Sequence, residues 1–334
     1  MLYTRRDFGK MALAAGTAAT LMAAKPNSRF GGVRIGIITY SFRALPGSAE
    51  QTLKYCLDCG IDGIELMRDV AESYAGGPVA AGRGLGGAPG APGAARPGGG
   101  RPPLTPEQRA AMRKTAEELK QWRLSVSMDK YKAFRKMYND AGVEIYAFKL
   151  PPTMAMSDQE YDYIWNVAET LGANHVTMEL PTDDSLLQRV AEYAAKRKLR
   201  IAFHTHGQGG SSGFEKVLGA STYTALNLDV GHYYGVTGQS PIPIIERYQD
   251  RIASLHLKDR RGPDSASEDN ARSGGGANMP WGQGETPLKE ILQLMKKRKY
   301  RFPASIEYEY NAPEGSDVLS EIKKCVQFCR DALA

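Results

Sequence analysis

Between positions 33 and 334, a short apolar run followed by a stretch with helical spacing recurs eight times, and this repeat most constrains the fold. The runs lie at 33–40, 63–66, 143–150, 174–180, 200–207, 225–228, 252–259 and 304–309. Uninterrupted apolar runs of this kind suit parallel strands buried on both faces, and parallel neighbours need helical crossovers of one hand. Eight such units in one chain predict an α/β fold, a closed (β/α)8 TIM barrel in a single domain spanning 33–334. An open doubly wound sheet would normally carry a glycine-rich fingerprint after its first strand, and Thr39-Tyr-Ser-Phe-Arg43 has none.

One segment breaks the rhythm. Residues 73–104 are dominated by Gly, Ala and Pro, with Arg83, Arg96 and Arg101 as their only charges. Such a composition cannot bury a core and reads as a flexible, disordered insert after the second strand, because the alternation resumes beyond it. Thr105-Pro-Glu-Gln108 then supplies a helix start, with a capping side chain, a proline in the first turn and a glutamine three residues on. The four cysteines fall as Cys56-x-x-Cys59 and Cys325-x-x-x-Cys329, each pair on one face of a helix. Small buried residues facing the core are the expectation; a disulfide or thiolate metal site would require the first and last helices to meet.

The chain has 334 residues and a formal net charge of +6, too mild for a nucleic-acid partner, and no basic stripe interleaved with aromatics is present. Thr4-Arg-Arg-Asp-Phe-Gly-Lys10 precedes a weakly apolar run at 11–24, too short to span a membrane. This leader, residues 1–24, resembles a twin-arginine export signal, which implies a periplasmic or secreted protein with no membrane attachment after its removal.

The strand ends carry the chemistry. Arg200-Ile-Ala-Phe-His-Thr-His-Gly207, Asn227-Leu-Asp-Val-Gly-His232, Ile252-Ala-Ser-Leu-His-Leu-Lys-Asp259 and Ala304-Ser-Ile-Glu-Tyr-Glu309 close apolar runs with imidazoles and carboxylates. In a parallel barrel those ends share one rim. Four of the five histidines, His204, His206, His232 and His256, lie there with Asp229, Glu307 and Glu179, a donor set that suits a divalent metal. Asp229 and His232 are expected where the strand opens into a loop. His175, at a strand start, reads as structural.

Leu228-Asp-Val-Gly-His232, Leu255-His-Leu-Lys-Asp259, Trp281-Gly-Gln-Gly-Glu285 and Ser305-Ile-Glu-Tyr-Glu309, in this order, resemble the sugar phosphate isomerase/epimerase superfamily of xylose-isomerase-like barrels. Within it, the spacing from Phe203-His-Thr-His-Gly207 onward is most similar to inosose dehydratase. The resemblance implies one divalent metal held from strands five to eight, here by His204, Asp229, His256 and Glu307. An imidazole at the first position, where the superfamily uses a carboxylate, favours Mn, Zn or Co over Mg, and Glu179 can replace that carboxylate or add a fifth ligand.

The implied chemistry is enediolate formation on a keto sugar, polyol or glycoside, leading to isomerisation or epimerisation, or to dehydration or lyase cleavage. Glu179 or Glu307 is the candidate base, His206 or His232 the candidate acid, and Lys149 and Lys258 candidate oxyanion partners. Trp281 is the candidate for stacking on a sugar, or else a plug of the barrel mouth. Glu65 is expected to act behind the first contacts, and Glu309 to point away from Glu307. Arg260 and Arg261 are placed to meet a phosphate, although an exported enzyme would meet free sugars, polyols or glycosides. The competing expectation is an exported sugar-binding barrel without turnover.

Overall fold

The computed structural model describes residues 25–78, 105–206, 211–265 and 276–334. Eight parallel strands form the centre: β1 Val33–Ile38, β2 Gly63–Met67, β3 Glu144–Lys149, β4 His175–Glu179, β5 Arg200–His204, β6 Thr224–Asp229, β7 Ile252–Leu257 and β8 Ala304–Ile306. Each pairs with the next, and β8 returns to β1 with Ile306 opposite Ile37, so the sheet closes and has no free edge. A two-residue strand, Arg29–Phe30, pairs antiparallel with the start of β1.

Helices surround the barrel: α1 Ala49–Asp58, α2 Arg68–Tyr74, α3 Pro106–Ser125, α4 Met128–Asp140, α5 Asp158–Leu171, α6 Asp184–Arg197, α7 Ser211–Gly219, α8 Val230–Thr237, α9 Ile242–Tyr248, α10 Leu288–Arg298 and α11 Val318–Leu333. Local signals fix several starts. Ser48, Thr105 and Ser157 each form a full capping box with the residue three positions on, and Pro106 follows Thr105 as the sequence predicts. Behind α2, Arg123 of α3 makes a bidentate pair with Glu72 at 2.8 and 3.2 Å, and Tyr163 of α5 donates to the same carboxylate. This buried pair ties the chain beyond residue 104 back onto the segment before residue 79.

The barrel interior is unusual in being polar. Tyr146, His175, Ser254 and Ser305 occupy a lower level, with Tyr146 Oη 2.5 Å from Ser305 Oγ and His175 Nε2 3.1 Å from Ser254 Oγ. Gly36 makes room for this level, since a Cβ there would stand 2.7 Å from the Tyr146 ring. A closed polar interior persists only when its groups satisfy one another, which these pairings accomplish.

Three expectations change. The insert was placed from residue 73, but residues 73 and 74 complete α2, whose buried Val70, Ala71 and Glu72 pin it to the barrel; residues 79–104 lie outside the described residues, as does the leader. The segment after Asp229 is helix α8 rather than a loop: Asp229 caps it, its Oδ1 accepting from His232 N at 2.7 Å. Arg260 is not available to a phosphate, being fully buried with its Nε donating to Gly276 O at 2.8 Å in the hairpin that pairs Asp259–Arg260 with Asn278–Met279. All four cysteines are buried free thiols, and burial pushes Cys59 up to about 11 and Cys325 to about 12. No helix among the described residues is long and apolar enough to cross a membrane.

Candidate metal centre and active site

Alternation along β4 to β8 puts every second side chain inside the barrel, so the strand-end histidines and carboxylates converge as the barrel model requires. One donor atom from each of His204, Asp229, His256 and Glu307 lies within 4.8 Å of the others, and all four residues are buried. His204 is also grouped with His206 and His232 within the same limit.

Around the four, contacts are short. His256 is clamped between two carboxylates, Nδ1 at 2.7 Å from Glu307 Oε2 and Nε2 at 2.7 Å from Glu65 Oε2. Burial alone would depress its basicity, but Glu65 and Glu307 outweigh that and raise it to about 10. At His204 burial, reinforced by Lys149, outweighs the support of Glu179 and Glu307 and pushes it down to about 3, so its ring is neutral near pH 7. Lys258 Nζ lies 3.1 Å from Asp229 Oδ2, 3.2 Å from Glu307 Oε2 and 2.6 Å from Glu309 Oε2. Burial works against ionising Asp229 and Glu307, yet His232 and Lys258 beside the first, and Lys258 and His256 beside the second, hold both carboxyls below the usual carboxylate range. Gly231 permits this arrangement, because a Cβ there would stand 2.4 Å from the Lys258 carbonyl oxygen.

Glu309 therefore faces the same side as Glu307, contrary to the expectation. Residues two apart along extended backbone share a face, and both reach Lys258.

Nearer the mouth, Glu179 stands one step out from the four. Its Oε1 is 2.9 Å from Lys149 Nζ and its Oε2 2.7 Å from His206 Nε2, and the side chains of Glu179 and His206 are nearly half exposed. Lys149 overrides the effect of burial and keeps Glu179 ionised. Trp281 packs edge-on against Phe328 of α11, with ring centroids 5.7 Å apart. The loop that carries it is pinned by Asp259, whose Oδ2 accepts from Gly282 N and Gly284 N at 2.8 and 2.9 Å.

Glu65 is the residue whose importance sequence reasoning understated. It is fully buried at the centre of the barrel, accepting from Thr177 Oγ1 at 2.7 Å and Asn227 Nδ2 at 3.1 Å as well as facing His256. Burial opposes its ionisation, but His256 leads the groups that bring it down to about 2. Asn227, not singled out from sequence, completes the set through His204.

The donor set fits a divalent cation. Asp229 Oδ2, His232 Nδ1 and Glu179 Oε2 are buried atoms with ion-pair neighbours but no aligned hydrogen bond, an unusual condition for native polar groups. Mixed imidazole and carboxylate ligation belongs to borderline metals.

Residues 185–328 match the family described as Xylose isomerase-like TIM barrel. Eight closed parallel strands and that match agree. The fold is a closed (β/α)8 barrel, and the family match covers its C-terminal part. The chain is 27% identical over 135 residues to inosose dehydratase of Clostridium botulinum (strain Eklund 17B / Type B), covering 37% of this chain and 45% of the relative. The match thus spans about half the length of the curated relatives. Among solved structures, the probable 3-DHS dehydratase AsbF of Bacillus anthracis superposes with a TM-score of 0.58 at 15% identity, covering 88% of this chain and 99% of that one. An L-ribulose 3-epimerase superposes with a TM-score of 0.54 at 15% identity over 90% and 94% of the two chains.

Proposed function

We propose that this protein is a divalent-metal-dependent enzyme acting on a small carbohydrate that carries a carbonyl, a keto sugar or a keto-sugar glycoside, by removing a proton next to that carbonyl. The observation that carries this reading is the convergence of His204, Asp229, His256 and Glu307 at the barrel mouth, directly below an ionised glutamate paired with a half-exposed histidine. The names of the relatives, a dehydratase by sequence and dehydratases and epimerases by fold, support the substrate class.

His204, Asp229, His256 and Glu307 would hold the metal. A divalent cation held there would supply Lewis acidity to a substrate carbonyl and a neighbouring hydroxyl, making the C–H between them easier to deprotonate. The chain supplies the proton movements. Glu179, kept ionised by Lys149, accepts the proton at Oε2, and its weak basicity makes prior acidification of the substrate essential. His206, 2.7 Å from that carboxylate, is placed to protonate a departing β-oxygen. Lys149 balances charge on the oxygen side. One half-exposed carboxylate outside the four-residue group, beside one imidazole, favours elimination, that is dehydration or lyase cleavage. Isomerisation or epimerisation is the second reading, supported by Glu307 as a further carboxylate at the mouth, although Lys258 and His256 engage it. The resemblance of residues 1–24 to a twin-arginine export signal supports an exported enzyme, which would meet unphosphorylated sugars.

Incubation with keto sugars in deuterated water tests the reading. An unsaturated product supports elimination, and deuterium beside the carbonyl with the skeleton intact supports isomerisation or epimerisation. Binding of sugars without exchange into any of them would favour a binding protein.

A further inference from the structure

A carboxylate can only accept hydrogen bonds, and Glu65 is buried where that limitation propagates. Asn227 approaches it at 3.1 Å, so the atom facing Glu65 is the amide nitrogen, whose other proton goes to Ser254 Oγ at 2.7 Å. With the nitrogen so committed, the oxygen of the same amide faces His204 Nδ1 at 2.8 Å. An amide oxygen accepts, so His204 carries its proton on Nδ1 and leaves Nε2 bare, on the side of Asp229 Oδ2 3.9 Å away. On its other side Glu65 takes a proton directly from His256 Nε2 at 2.7 Å, which leaves Nδ1 as the nitrogen facing Glu307. Thr177 Oγ1 holds the second carboxylate oxygen at 2.7 Å and fixes the plane of the group.

We propose that Glu65 is the positioning residue of the site: through Asn227 on one side and directly on the other, it makes His204 present Nε2 and His256 present Nδ1 to the shared centre. Two imidazoles thus offer opposite nitrogens, and one side chain on a strand that contributes no donor to the four-residue group decides both. Hydrogen bonds to the non-coordinating nitrogen of a histidine orient the ring and fix its tautomer, and their removal typically weakens metal binding by about 10- to 100-fold. The part of the inference that concerns metal rests on the proposed metal-dependent function; the part that concerns ring protons does not.

The test is long-range proton–nitrogen correlation on the full chain labelled with nitrogen-15 histidine, first metal-free after chelation and near pH 7. Protonated Nδ1 with bare Nε2 at His204, and a proton on His256 Nε2, are expected; a protonated Nε2 at His204 overturns the proposal. In Asn227→Ala, His204 should become a mixture of tautomers while His256 keeps its Nε2 proton, and an unchanged His204 would also overturn it. Titration with Co2+ supplies the second readout: slowly exchanging, hyperfine-shifted ring N–H signals are expected from both His204 and His256. Glu65→Gln should speed exchange of both signals and weaken cobalt binding by about 10- to 100-fold; unchanged exchange and affinity count against the proposal. Failure of the wild-type protein to bind cobalt would overturn the metal reading, whereas the nitrogen-15 pattern of the metal-free protein still decides the assignment of Glu65.

Discussion

Lys258 Nζ lies 3.1 Å from Asp229 Oδ2 at the base of the mouth, both side chains being almost completely buried. The ammonium keeps Asp229 and Glu307 ionised side by side. In Lys258→Met the two carboxylates lose that partner, and breaking a buried charge pair typically costs about 3–5 kcal/mol. Denaturant unfolding should show a loss of this size in the chelated protein and a smaller one in saturating Mn2+, because a bound cation replaces part of the missing charge. Equal losses under both conditions would contradict the placement of the metal.

Asp229→Ala should abolish metal retention, read as moles of transition metal per chain after dialysis. The same change removes the cap of α8, worth about 1 kcal/mol, and one of three carboxylate partners of Lys258, which keeps Glu307 and Glu309. Far-ultraviolet circular dichroism should therefore stay that of a folded α/β protein, and retained metal would reassign the ligands.

The metal-free protein should have a dome-shaped stability profile against pH. His204 and His175 are depressed to about 3 and about 4, and Glu65 to about 2. In each case the unfolded chain binds more protons over that interval, so stability falls as pH drops below about 6.5 for the histidines and about 4.3 for Glu65. His256, raised to about 10, has the opposite sign: its contribution is complete below about 6.5 and is lost as pH rises towards 10. Thermal midpoints measured across this range should fall on both limbs, and His256→Gln should flatten the alkaline one.

Gly231→Ala should destabilise and inactivate together. The added methyl would stand 2.4 Å from the Lys258 carbonyl oxygen, so α8 or β7 must shift; overpacking of this kind costs about 1–3 kcal/mol. A variant with wild-type stability and turnover would show that the approach of α8 to Lys258 is looser than the structure has it.

Most of the barrel was legible because a doubly buried strand writes its burial directly into sequence, as Val33–Ile38 and Thr224–Asp229 do. The strand ends were legible for a related reason: histidine and aspartate closing an apolar run are conspicuous. Helix α8 was not, because Gly231, Tyr233, Tyr234 and Gly235 are poor helix formers, and the capping role of Asp229 was hidden behind its metal-ligand chemistry. Glu65 was legible only as a residue behind the first contacts, because its neighbours Ile64 and Leu66 read as ordinary strand and only closure of the barrel brings it to His256, 191 positions away. The side of Glu309 follows from strand alternation, which puts it with Glu307 on Lys258.

Asp229 has two oxygens and two obligations. Oδ1 is committed to the first turn of α8 through His232 N, which leaves Oδ2 alone to face the cluster. Whatever that residue binds, it binds through a single atom, and a glutamate in its place could not keep the helix and the centre in register at once. Secondary structure and denticity are set here by the same carboxyl group.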